Sequence, residues 1–94
     1  MKYELRLWVA GQSMFSRQAI KNIKDICKNE LKGKYKLEII DVLENPELAE
    51  ENKIFATPTL IKELPAPLSK IIGNLKNKEK VLLGLEIQPT EGAE

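Results

Sequence analysis

Few side chains in this chain could do covalent chemistry. Its 94 residues include one cysteine, Cys27, and no histidine. A lone thiol cannot close a disulfide within the chain, and a Cys/His metal site lacks its ligands. Without imidazole, the commonest general base is missing. Ser13 and Ser16 stand in a Ser-x-x-Ser spacing, in the loop that leads into a helical segment. Two cysteines at that spacing could exchange disulfides, because a low-pKa thiolate attacks sulfur. Serine hydroxyls do not ionise at neutral pH, so that chemistry is disfavoured. Cys27 falls mid-helix among Ile23, Ile26 and Leu31 and reads as a core residue. No Gly-rich phosphate loop, carboxylate dyad or nucleophile–base pair stands out. The expectation is no catalytic residue, no metal and no cofactor.

The elements that must position these residues follow from periodicity. Tyr3, Leu5, Leu7 and Val9 alternate with Glu4, Arg6 and Trp8, which predicts a first strand. Trp8 on the alternate face implies that both faces of the sheet are covered. Ser16 is the expected N-cap of a helix over about Arg17 to Leu31, with Ala19, Ile20, Ile23, Ile26, Cys27 and Leu31 on one arc. Arg17, Lys21, Lys24, Lys28 and Lys32 form a basic stripe on another arc, and Gly33 suits the C′ position. Tyr35 to Val42 predicts a second strand, parallel to the first across a right-handed crossover. Asn45-Pro46-Glu47 opens a short helix to about Asn52. Thr57-Pro58-Thr59 leads into a third strand, which Leu64-Pro65-Ala66-Pro67 interrupts.

Beyond the prolines the local signals conflict. Ser69 to Gly73 reads as an edge strand before a Gly73-Asn74 turn, or as the end of a helix begun at Pro67. Asn77 could cap a last helix containing Val81, Leu82 and Leu85, yet Val81, Leu83, Leu85 and Ile87 also alternate like a strand. Gly84 costs a helix interior roughly 1 kcal/mol relative to Ala. Residues 88–94 are polar and read as a frayed tail.

The chain reads as one domain over 1–94, too short for two cores. Net charge is +1, which argues against a nucleic-acid binder. No apolar run reaches the ~20 residues of a membrane span. The N-terminus lacks the apolar block of a signal peptide, so the cytoplasm is the expected location. The basic stripe reads as a solvated face or as a docking surface for an acidic partner, extended by Lys53, Lys62 and Lys70. The acidic run Glu44, Glu47, Glu50 and Glu51 reads as exposed helix surface.

Several runs together resemble the KaiB family of circadian clock proteins. They are Leu-Trp-Val-Ala-Gly (Leu7 to Gly11), Ile40 to Glu51, Lys53 to Leu60, Ile71 to Leu75 and Lys78 to Glu86. The resemblance spans about residues 3–87. It implies an α/β, thioredoxin-like protein with an N-terminal βαβ unit and a metamorphic C-terminal half. The ground arrangement, a homotetramer with helices and a late strand in that half, is the one expected for the isolated protein. The partner-bound arrangement is a thioredoxin-like monomer with two strands and a helix there. In the thioredoxin-like architecture the third strand begins with a proline like Pro58, held cis. The implied role is non-enzymatic: binding a KaiC-type hexameric ATPase, with KaiA or a sensor histidine kinase as further partners. Arg17, Gln18, Lys53, Lys62 and Lys70 match or neighbour basic docking positions of the family. Pro58, Pro65, Pro67, Gly84 and Glu86 fall in the switching segments, Glu86 replacing a family Asp. The alternatives are a redox enzyme on the same fold, which Ser13 and Ser16 argue against, and a stand-alone adaptor for a sensor kinase.

Overall fold

The first strand is the organising element. In the computed structural model, which describes residues 2–73 and 75–87, β1 (Tyr3–Val9) pairs parallel with β2 (Tyr35–Asp41) and antiparallel with β3 (Thr59–Leu64). β4 (Ser69–Ile72) adds antiparallel to β3, giving the order β2-β1-β3-β4. α1 (Met14–Ile26), which continues through a π-helical turn at Cys27–Leu31, makes the crossover between the parallel strands. α2 (Pro46–Glu51) joins β2 to β3, and α3 (Lys78–Gly84) follows β4.

Alternation along β1 divides the core in two. Leu5, Leu7 and Val9 pack with Ala19, Ile23, Ile26 and Leu31 of α1 and with Val81 and Leu85 of α3. Trp8, fully buried, faces the other way and packs with Ile40, Ala49 and Ile61. Both faces of the sheet are therefore covered around Trp8, as its place in the alternation predicts. α2 is short, with Ala49 its buried residue, so it covers only part of that second face.

One boundary of the first helix differs from expectation. The N-cap of α1 is Ser13, not Ser16: Ser13 Oγ accepts from the Ser16 amide at 3.1 Å, and Arg17 N donates to Ser13 O at 3.0 Å. Ser16 is the third helical residue, the one whose free N–H a cap satisfies. At the other end Gly33 takes the C′ position at φ 84°, as expected, and the C-cap Lys32 is itself left-handed at φ 49°.

The main correction concerns residues 65–87. The ground arrangement expected for the isolated protein is not the one present. Ser69–Ile72 is a strand and Lys78–Gly84 a helix, which is the thioredoxin-like arrangement. The burial pattern shows which period operates. Val81 and Leu85, four apart, are buried, whereas Leu83 is 81% exposed; strand alternation would have turned Leu83 inward with them. Asn77 caps α3, its Oδ1 accepting from the Lys80 amide at 3.1 Å. The helix ends with Glu86 N donating to Leu83 O and Ile87 N to Leu82 O, a Schellman closure that places Glu86 at φ 57°. The bonds preceding Pro58, Pro65 and Pro67 are all cis. The tail expected to fray at 88–94, and Asn74 of the expected Gly73-Asn74 turn, lie outside the described residues.

Candidate interaction site

The loops at the C-terminal end of β1 converge because β1 and β2 run parallel and β3 returns from the same end. Asp41 ties them together. Its Oδ1 accepts from Gly11 N at 3.0 Å and from Leu43 N at 2.9 Å. Gly11 sits at φ 67°, and a Cβ there would meet Leu43 Cδ1 at 3.2 Å, so both its conformation and the close approach favour glycine. Gly73 N reaches across to Pro58 O at 2.9 Å, joining the end of β4 to the same region.

Ser13 and Ser16 occupy this end in a closed network of neutral hydroxyls. Their oxygens lie 3.0 Å apart, and Ser16 Oγ is 3.3 Å from both the N and the O of Ala10. This network fixes the turn into α1 and holds no ionisable nucleophile. Cys27 lies elsewhere, fully buried, its thiol pushed by burial up to about 12 from 9.0. A thiol protonated at physiological pH is a poor nucleophile.

The Cys27 shift carries a pH prediction. Below about pH 9, folded and unfolded chains both keep this proton. Above it the unfolded chain loses the proton first, so stability falls as pH rises from 9.0 towards 12. Comparing urea midpoints at two pH values, about 8 and about 10, is expected to show a larger drop for wild type than for Cys27→Ala. Equal drops would contradict this assignment.

Around these loops several large apolar side chains are exposed. Met14, Phe15, Leu43 and Phe55 all extend from this end, and Phe55 is 87% exposed. Large exposed apolar side chains gathered in one region mark interaction surfaces. Sequence reasoning passed over them. The available signal was that Met14 and Phe15 open α1 off its buried arc and that Phe55 stands in the loop before Thr57-Pro58, where no core position claims them.

The structure divides the basic positions rather than uniting them. Arg17 and Gln18 are exposed in the first turns of α1, and Lys53 is exposed after α2 at φ 58°. These three border the apolar loops. Lys70 pairs with Ile61 on the Trp8 side of the sheet, opposite α1, so it does not extend the basic stripe of that helix. Lys62 is 1% exposed on the α1 side, and its Nζ donates to Pro65 O at 2.9 Å. In this arrangement its charge is spent inside the β3–β4 turn and is not offered to a partner. Along the stripe itself Lys21 pairs with Asp25 at 3.1 Å. Glu44, Glu47, Glu50 and Glu51 are all exposed, as expected for a solvated surface.

Comparison with known proteins gives a consistent result. The family model described as "KaiB domain" matches residues 6–87. The chain is 60% identical to "Circadian clock protein KaiB3" of Synechocystis sp. over 90% of its length and 83% of the relative's. It is 56% identical to "Circadian clock oscillator protein KaiB" of Rippkaea orientalis over 90% of its length and 82% of that chain. Among solved structures it resembles the N-terminal domain of Synechococcus elongatus SasA, with TM-score 0.70, 24% identity, and 88% and 84% of the two chains covered. It also resembles Fasciola hepatica thioredoxin, with TM-score 0.72, 16% identity, and 90% and 79% covered. At such identities the structural likeness establishes the thioredoxin-like fold alone.

Proposed function

Because this chain belongs to the KaiB family, a family of non-enzymatic clock proteins, we propose that it is a fold-switching regulator that docks on a KaiC-type hexameric ATPase. The observation that carries this reading is the packing of residues 65–87. Local preference leaves that segment undecided, and here it forms β4 and α3 against the constant βαβ unit. A second packing within a few kcal/mol would let a partner select this one. The ground packing is a homotetramer, and release of the monomer precedes docking. KaiA is a further partner. A SasA-type sensor kinase, whose N-terminal domain has the same fold, competes for the same docking site.

The docking surface is the loop end of the sheet: Met14, Phe15 and Phe55, bordered by Arg17, Gln18 and Lys53. Lys70 meets the partner from the opposite face, and Lys62 acts through the β3–β4 turn. Pro58, Pro65, Pro67, Gly84 and Glu86 belong to the switching machinery. The test is elution mass with and without a KaiC-type hexamer and ATP. A shift of the labelled chain into the hexamer fraction is expected, and no shift at any ratio contradicts the proposal. Arg17→Glu and Lys53→Glu are expected to slow association several-fold, most strongly at low salt. Lys62→Met is expected to change the competent fraction with little salt dependence. Identical salt slopes for Lys62→Met and Lys53→Glu would refute this division of roles.

A further inference from the structure

The inward face of α1 runs Ser16, Ala19, Ile23 and Ile26, and the next position in that series is Glu30. An acid at a core-facing position is out of place unless paired. Glu30 sits in the π-helical turn between the buried Cys27 and Leu31 and is itself 9% exposed. Its Oε2 lies 2.9 Å from Nζ of Lys78. Lys78 is the first residue of α3, directly after the Asn77 cap. A cation there is also out of place, because the positive end of the helix dipole repels it. Each residue thus occupies a position that is unfavourable alone and is relieved by the other.

The two partners are 48 residues apart. Glu30 belongs to the βαβ half, whose elements the sequence assigns without conflict. Lys78 opens the helix of the undecided half. We propose that Glu30 is a conformational selector: a buried acceptor in the constant half that favours the packing in which Lys78 is seated against it. The Glu30 side chain is 12% exposed and that of Lys78 49%, so a packing that withdraws Lys78 leaves a largely desolvated carboxylate without that cation, at a cost above that of a fully exposed pair. Glu30 and Lys78 are positioning residues, since neither lies at the loop end of the sheet. The inference deepens the two-packing reading above and rests on it for its functional consequence.

The experiment is native-state hydrogen exchange at the Val81 and Leu85 amides, which donate within α3, with the β1 amides as internal reference. The proteins are the full chain, Glu30→Gln, Lys78→Gln, the double variant, and Lys80→Gln as a charge control. Lys78→Gln is expected to raise α3 opening about tenfold. The double variant should open no more than Lys78→Gln alone, and Lys80→Gln should stay within about twofold of wild type. Capture by a KaiC-type hexamer should fall in proportion to the seated fraction. Unchanged exchange in Lys78→Gln, or a double variant equal to the product of the singles, would overturn the selector. If the hexamer captures no wild-type chain, the docking reading fails, and the exchange cycle in the free protein still decides this one.

Discussion

Trp8→Ala is expected to lose about 3–5 kcal/mol of folding stability, seen as a large fall in the urea midpoint. That is a large share of the ~5–15 kcal/mol available to a typical domain. The indole is fully buried and is the largest member of the smaller core, with Ile40, Ala49 and Ile61. α2 is too short to close over a cavity left there. The indole Nε1 has no hydrogen-bond partner among the described residues. Trp8→Phe therefore removes an unsatisfied buried donor along with ring volume, and it should cost well under half as much as Trp8→Ala. Equal losses for the two variants would mean that the ring's volume does not set the strength of this core.

The second large effect concerns the end of α3. Gly84→Ala should gain up to ~1 kcal/mol of helix propensity and so favour the thioredoxin-like packing. The structure predicts that part of this gain is lost. A Cβ at Gly84 would lie 2.7 Å from Ile71 Cδ1 and 3.2 Å from its Cγ1. Ile71 is half-buried on the edge strand β4, so its side chain can turn aside at some cost. Ile71→Val removes the Cδ1 atom. Gly84→Ala should therefore shift the population towards monomer further in an Ile71→Val background than in the wild-type background, since Ile71→Val alone loses core packing. Two residues on, Glu86 sits at φ 57°, where glycine is unstrained and glutamate costs ~1–2 kcal/mol. Adding Glu86→Gly should bring the combined gain to about 2 kcal/mol, roughly thirtyfold in the ratio of packings. Size-exclusion and association kinetics report both. If Gly84→Ala has the same effect with Ile71 and with Val at that position, the Ile71 contact has no energetic weight.

The sequence made the βαβ half readable because its signals agree. β1 alternates cleanly, α1 carries a continuous apolar arc, and Asn45-Pro46 and Leu64-Pro65 punctuate the chain. Residues 69–87 were not readable because short apolar runs satisfy both periods. What settles them is tertiary: the inner face of β3 offers Leu60, against which Ile71 pairs and behind which Val81 and Leu85 pack. The candidate site was only partly legible. Arg17 and Lys53 stand out by their charge and Gln18 only through the family resemblance, while neither charge nor periodicity marks the exposed Phe15 and Phe55. By residue type Lys62 is a surface cation, although it shares strand parity with the buried Leu60. Glu30 was likewise hidden on a face assigned to apolar residues. In both cases the period already pointed inward, and the polar residue type masked it.

The most direct test of two packings chosen by a partner is the amide spectrum of the labelled chain, alone and with a KaiC-type hexamer and ATP. Residues 65–87 should give two slowly exchanging sets of signals in the free protein. Adding the hexamer should leave only the set with helical shifts at 78–84 and strand shifts at 69–72. A single set in the free protein that stays unchanged on adding the hexamer would contradict the account.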